Sequence, residues 1–91
     1  MTLEELYKII QDRKNQMPKG SYVASLFRDG NDRIIQKVGE EATEVVIAAK
    51  NKTKKRITSE VADLLFHSLI LLAAYDVTPK DVLEELERRK E

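Results

Sequence analysis

Two stretches of this sequence carry side chains that could do chemistry together: Lys37, Glu40, Glu41 and Glu44 in one, Glu60, Asp63 and His67 in the other. The second group interrupts an otherwise apolar run, Ile57, Val61, Ala62, Leu64, Leu65, Phe66 and Leu69 through Ala74. At helical periodicity Glu60, Asp63 and His67 share one sector roughly 60° wide. Glu41 and Glu44 are one turn apart on the flank of another apolar stripe, with Lys37 on the same flank and Glu40 at its outer edge.

An antiparallel hairpin turning at Lys52 would match these groups by height. Glu44 then falls opposite Glu60, Glu41 opposite Asp63 and Lys37 opposite His67. The two acidic levels lie roughly 12 and 16 Å from the turn at the helical rise. Carboxylates about 5–6 Å apart repel by roughly 3 kcal/mol at an effective dielectric near 20. Lys37 and His67 cannot neutralise four of them. A hard divalent cation with oxygen ligands can, and helical bundles build metal sites from side chains on facing helices. Without cysteine the donor set suits magnesium or manganese rather than zinc. The expected ligands are Glu41, Glu44, Glu60 and Asp63. His67 reads either as a core histidine or as a further ligand.

The elements that must position these residues follow from periodicity and punctuation. Thr2 and Glu5 form a capping box, and Leu3, Leu6, Tyr7 and Ile10 predict a helix over about 3–15. Met17-Pro18-Lys19-Gly20 breaks it. Residues 21–31 read equally as a short helix or an ordered loop. A long helix is expected over about 32–50, capped by Asn31 or Asp32, with Ile34, Ile35, Val38, Ala42, Val45, Val46 and Ala49 as its apolar stripe. Gly39 within it suggests close helix packing first and substrate access second. The turn uses Asn51 as a left-handed terminator and Thr53 as the next cap. The third helix runs to about Tyr75, and its nearly all-round apolarity predicts burial. Thr78 caps the last helix, with Pro79 at its first position.

The fold expected is all-α, four to five helices around an antiparallel hairpin, as one domain over residues 1–91. So short a chain, lacking disulfides, gains most by pairing with a second copy to complete a helical bundle. Sixteen basic residues balance sixteen acidic ones, which argues against a nucleic-acid binder. No apolar run is counted as long enough to cross a bilayer, and no signal peptide is recognised, so a cytoplasmic protein is expected. Lys50, Lys52, Lys54, Lys55 and Arg56 read as a solvated basic turn or as a source of one phosphate contact.

Glu40-Glu41-x-x-Glu44 followed by Glu60-x-x-Asp63 resembles the signature of the MazG-like nucleotide pyrophosphohydrolases. Gly20-Ser21-Tyr22, Asp32-Arg33-Ile34, the run Lys37 to Asn51, the run Glu60 to His67 and the closing Val82 to Arg89 are similar to the phosphoribosyl-ATP pyrophosphohydrolase family in particular. The match departs at Val23, where that family often has threonine, and at Phe66, where it often has tyrosine. The resemblance implies a homodimer that hydrolyses phosphoribosyl-ATP to phosphoribosyl-AMP and pyrophosphate, the second step of histidine biosynthesis. On that footing Glu40 is the candidate to orient or deprotonate the attacking water. Lys37 either contacts phosphate or pairs with a carboxylate, and Ser21 and Tyr22 are candidates for binding the distal parts of the substrate. A house-cleaning hydrolase of deoxynucleotides and a non-catalytic dimerisation module are the rival readings.

Overall fold

The computed structural model describes residues 1–91 and contains five helices and no strand: α1 (Leu3–Gln16), α2 (Tyr22–Asp29), α3 (Asn31–Lys50), α4 (Lys54–Ala74) and α5 (Pro79–Arg88). The all-α expectation holds, and the ambiguous 21–31 segment is a helix. Ser21 caps it by accepting a hydrogen bond from the Ala24 amide. The expected Thr2–Glu5 capping box forms, and the expected cap Thr78 proves to be half of a second box with Asp81, each satisfying amides that the first helical turn leaves without partners.

The α3–α4 hairpin is the frame. Its tight reversal differs from expectation in two details. Asn51 is still right-handed, and Lys52 takes the left-handed conformation (φ 58°). The Asn51 amide continues the helical bonding to Ile47, so the reversal is deferred by one residue. Thr53 stands at the cap position with extended backbone, but its hydroxyl donates back to the Asn51 carbonyl and caps nothing. At the other end Gly30, rather than Asn31 or Asp32, occupies the cap position of α3 (φ 105°), a conformation that favours glycine.

The core lies at the end of the hairpin remote from this turn. Tyr7 and Ile10 of α1, Val23 and Leu26 of α2, Ile34 of α3, and Leu69, Ile70 and Ala73 of α4 are buried together. Two polar ties fix α1 across it. The Tyr7 hydroxyl donates to the Val77 carbonyl at 2.7 Å, and Lys14 donates to the Ala73 carbonyl at 2.8 Å, closing the C-terminus of α4. Burial, then the negative charges of Asp76, Asp81 and Glu4, raise the Tyr7 phenol above its ordinary value.

Four expectations about the long helices are corrected. Helix α4 is buried only in its C-terminal half; Val61 and Leu65 (46% exposed) are open, Leu65 bordering an apolar groove shared with Leu3 of α1 and Val82, Leu83 and Leu86 of α5. On α3 the buried positions are Ile34 and Ala48, whereas Ile35 and Val46 (60% exposed) form a second apolar face pointing away from α4. A side chain at Gly39 would meet nothing within 4 Å, so close packing inside one copy does not explain this glycine. Finally, Lys54–Ala74 does reach spanning length, 21 residues with mean hydropathy 1.5 over its most apolar 18. Its C-terminal half forms core, and its polar positions converge on α3, so its apolarity serves packing on more than one side.

Candidate active site

Between the core and the hairpin turn, the two long helices bring their acidic faces together. Carboxylate oxygens of Glu41, Glu60 and Asp63 lie within 4.8 Å of one another. Helix geometry accounts for this. Glu60 and Asp63 are three apart and share a face. The hairpin register places Glu41 across from them, as height matching about Lys52 requires. Glu41 and Glu60 are half-buried and Asp63 is exposed, so the cluster opens to solvent on one side. At this separation each pair of ionised groups repels by roughly 3–4 kcal/mol at an effective dielectric near 20. Three hard anionic oxygens converging on one point match the donor set of magnesium or manganese, so the residues present fit such an ion.

Glu44, expected as the fourth ligand, stands apart from this group. Its carboxylate is 4.0 Å from the Arg56 guanidinium, which also lies 3.8 Å from Glu60. Arg56 is therefore the one member of the basic turn shown paired at the cluster. It was not singled out from the sequence, although its i, i+4 spacing from Glu60 on one helix face was a signal that could have marked it. The other basic residues of the turn are exposed, in keeping with the solvated reading.

Lys37 closes the opposite end. Its ammonium is 3.3 Å from Glu41 and 3.5 Å from Glu40, rather than aligned with His67 at the same height. Desolvation pushes this ammonium down. The hydrogen bond to Glu41, the nearby Tyr22 phenol, the Glu41 charge and the bond to Glu40 outweigh it, and the net shift is upward. Lys37 is thus a firmly held cation. Glu40 sits at the rim, half exposed, accepting a bond from the Gln36 amide at 3.0 Å. That bond, and then Lys37, hold its carboxyl below the ordinary value. A carboxylate so stabilised is a weak base.

His67 is buried (6% exposed) beneath Asp63 and is not among the convergent carboxylates. One ring nitrogen, Nδ1, is 2.8 Å from the Asp63 carbonyl, and Nε2 is 2.7 Å from the Tyr22 hydroxyl. The Tyr22 and Phe66 rings both meet the imidazole edge to face. Tyr22, 45 positions away in sequence, is thereby brought to the site. Ser21 precedes it with its hydroxyl oxygen engaged as the α2 cap, leaving its proton free to donate.

The whole arrangement is a strip along the hairpin: Lys37, then the carboxylates, then Arg56, with Tyr22 above His67 at the Lys37 end. Cations flanking a carboxylate cluster suit a polyanion bound through a bridging divalent ion. The sequence is also similar to known proteins. Residues 3–90 match the family model described as phosphoribosyl-ATP pyrophosphohydrolase. The chain is 55% identical over 87 residues to the phosphoribosyl-ATP pyrophosphatase of Geobacter sulfurreducens, covering 96% of this chain and 81% of that one. It is 50% identical over 90 residues to that of Methanocella arvoryzae (97% and 95% covered) and 48% identical over 88 residues to that of Saccharolobus solfataricus (97% and 94%).

Proposed function

This chain belongs to the phosphoribosyl-ATP pyrophosphohydrolase family, and from that premise we propose how its residues carry the reaction. It hydrolyses phosphoribosyl-ATP to phosphoribosyl-AMP and pyrophosphate, a step of histidine biosynthesis. Water adds across the bridge between the α and β phosphates, and the bridging bond breaks to give phosphoribosyl-AMP and pyrophosphate. The observation that carries the reading is the convergence of Glu41, Glu60 and Asp63 across the hairpin.

These three residues would hold magnesium, with manganese as a substitute, and Glu44 is the candidate fourth ligand. Bound there, the ion supplies charge neutralisation at the phosphates and a lowered pKa for the attacking water. Glu40 orients that water from the rim. Lys37 steadies Glu41 and offers its remaining donors to a phosphate oxygen. Arg56, at the far end of the cluster beside Glu44 and Glu60, offers its guanidinium to the departing pyrophosphate. Ser21 and Tyr22 meet the parts of the substrate beyond the triphosphate.

The working unit is a cytoplasmic homodimer. Ile35, Val46, Val61 and Leu65 expose apolar surface on both long helices, and Gly39 leaves open space beside them. A second copy would complete the half-made bundle, as small domains commonly require. Sedimentation equilibrium is expected to give twice the chain mass, and Leu65→Lys to shift it toward the monomer. A native chain that stays monomeric at micromolar concentration would refute the pairing.

The activity is tested directly by incubating the purified chain with phosphoribosyl-ATP and magnesium. Stoichiometric pyrophosphate and phosphoribosyl-AMP are expected, with the signal lost in EDTA. Equal or faster turnover of deoxynucleoside triphosphates would transfer the assignment to a house-cleaning role.

A further inference from the structure

The contact between Tyr22 and His67 has a direction, and that direction determines what Tyr22 can offer a substrate. The Asp63 carbonyl only accepts hydrogen bonds, so the Nδ1 atom facing it at 2.8 Å carries the ring proton. In the neutral imidazole Nε2 is then an acceptor. The only donor available to it is the Tyr22 hydroxyl at 2.7 Å. A phenol has one proton, and here it is directed into the protein. What remains toward the open side is lone-pair density on an oxygen whose residue is 43% exposed.

We infer that His67, held in one tautomer by the Asp63 carbonyl, makes Tyr22 a hydrogen-bond acceptor in the cleft, so that Tyr22 recognises a hydroxyl donor on a ribose and cannot donate to a phosphate oxygen. The inference rests on the reading that Tyr22 meets the substrate, and it sharpens that reading into a chemical class of contact. Unprotonated phosphate oxygens are acceptors only, and would face a lone pair. Ribose hydroxyls are donors, and phosphoribosyl-ATP offers them well away from the scissile phosphates. Tyr22 lies near Lys37, at the end of the strip opposite Arg56. The triphosphate therefore runs from the carboxylates toward Arg56, and the ribosyl end lies over α2. His67 is the positioning residue in this scheme. It acts through Tyr22 and also ties the N-terminus of α2 to the helix that carries Glu60 and Asp63.

The chain has a single histidine, so its ring nitrogens can be read without assignment. Long-range proton–nitrogen correlation spectra of the uniformly 15N-labelled full chain at pH 8 are expected to show Nδ1 protonated and Nε2 bare. In Tyr22→Phe the Nε2 resonance is expected to shift, as its donor is lost, while Nδ1 stays in place. Protonated Nε2, or an Nε2 resonance indifferent to Tyr22→Phe, would overturn the inference, and neither readout depends on any enzymatic activity. Kinetics supply the second arm. Tyr22→Phe is expected to raise KM for phosphoribosyl-ATP roughly tenfold, the value of one lost hydrogen bond, with kcat within twofold. Inhibition by tripolyphosphate with magnesium, a probe with no hydroxyl donors, is expected to be unchanged. A matching loss of tripolyphosphate affinity would make Tyr22 a phosphate contact, and an unchanged KM would remove it from the substrate; either result refutes the inference. A native chain that does not turn over phosphoribosyl-ATP would refute the functional reading instead, and the spectra would then decide the direction of the Tyr22–His67 bond by themselves.

Discussion

Glu60→Gln and Asp63→Asn are each expected to lower kcat for phosphoribosyl-ATP by about three orders of magnitude, roughly 4 kcal/mol of barrier. Each substitution keeps the shape and removes one charged oxygen from a group whose members lie within 4.8 Å of one another. The ion then keeps two anionic ligands instead of three, and the amide oxygen that replaces the third is a poorer ligand for a hard ion. Glu41→Gln is expected to fall in the same range, with an added loss because Lys37 is then held by Glu40 alone. Glu44→Gln is expected to be milder, about a tenth of that effect, since Glu44 begins on Arg56 and must be drawn in. Steady-state kinetics at saturating magnesium, repeated with manganese, read the series. If Glu60→Gln or Asp63→Asn retained more than about a tenth of native kcat, the carboxylate cluster would not be the catalytic metal site.

Magnesium is expected to stabilise the fold, and removing carboxylates to stabilise the metal-free fold. At one hundred times its dissociation constant a ligand specific to the folded state contributes about 2.7 kcal/mol. For a domain of this size that corresponds to a rise in Tm of roughly 10–20 °C. Without the ion, repulsion of about 3–4 kcal/mol per pair at this distance is only partly relieved by Lys37 and Arg56. These are half-exposed groups, so screening and protonation reduce that cost to a fraction of its nominal size. Glu60→Gln should therefore raise the Tm of EDTA-treated protein by a few degrees while abolishing the response to magnesium. Differential scanning calorimetry with and without magnesium separates the two signs. A dimerisation module with no metal site predicts the first effect without the second: its Tm would ignore both magnesium and EDTA.

Much of this architecture could be read from residue order, because it depends on local rules. Helix ends followed from Thr2 with Glu5 and from Thr78 with Pro79, where a side chain answers an amide three residues away. The acidic centre followed from arithmetic: a helix has a fixed rise, and a tight turn reflects heights about itself, so Glu41 and Asp63 had to meet. Interactions at i, i+4 spacing, such as Arg56 with Glu60, are of the same kind. Other features arise only when separate elements dock. Which of two apolar faces of α3 turns inward depends on where α4 and α2 lie, and so Ala48 is buried while Val46 is open. Glu44 is drawn to Arg56 because rotamers answer the local field of whichever charge is nearest. Tyr22 and His67 meet across 45 residues through the packing of α2 on the core, and the orientation of their hydrogen bond depends on a main-chain carbonyl. Periodicity along one helix carries no information about such meetings, since the relative placement of elements is decided by the shape and volume of everything buried between them.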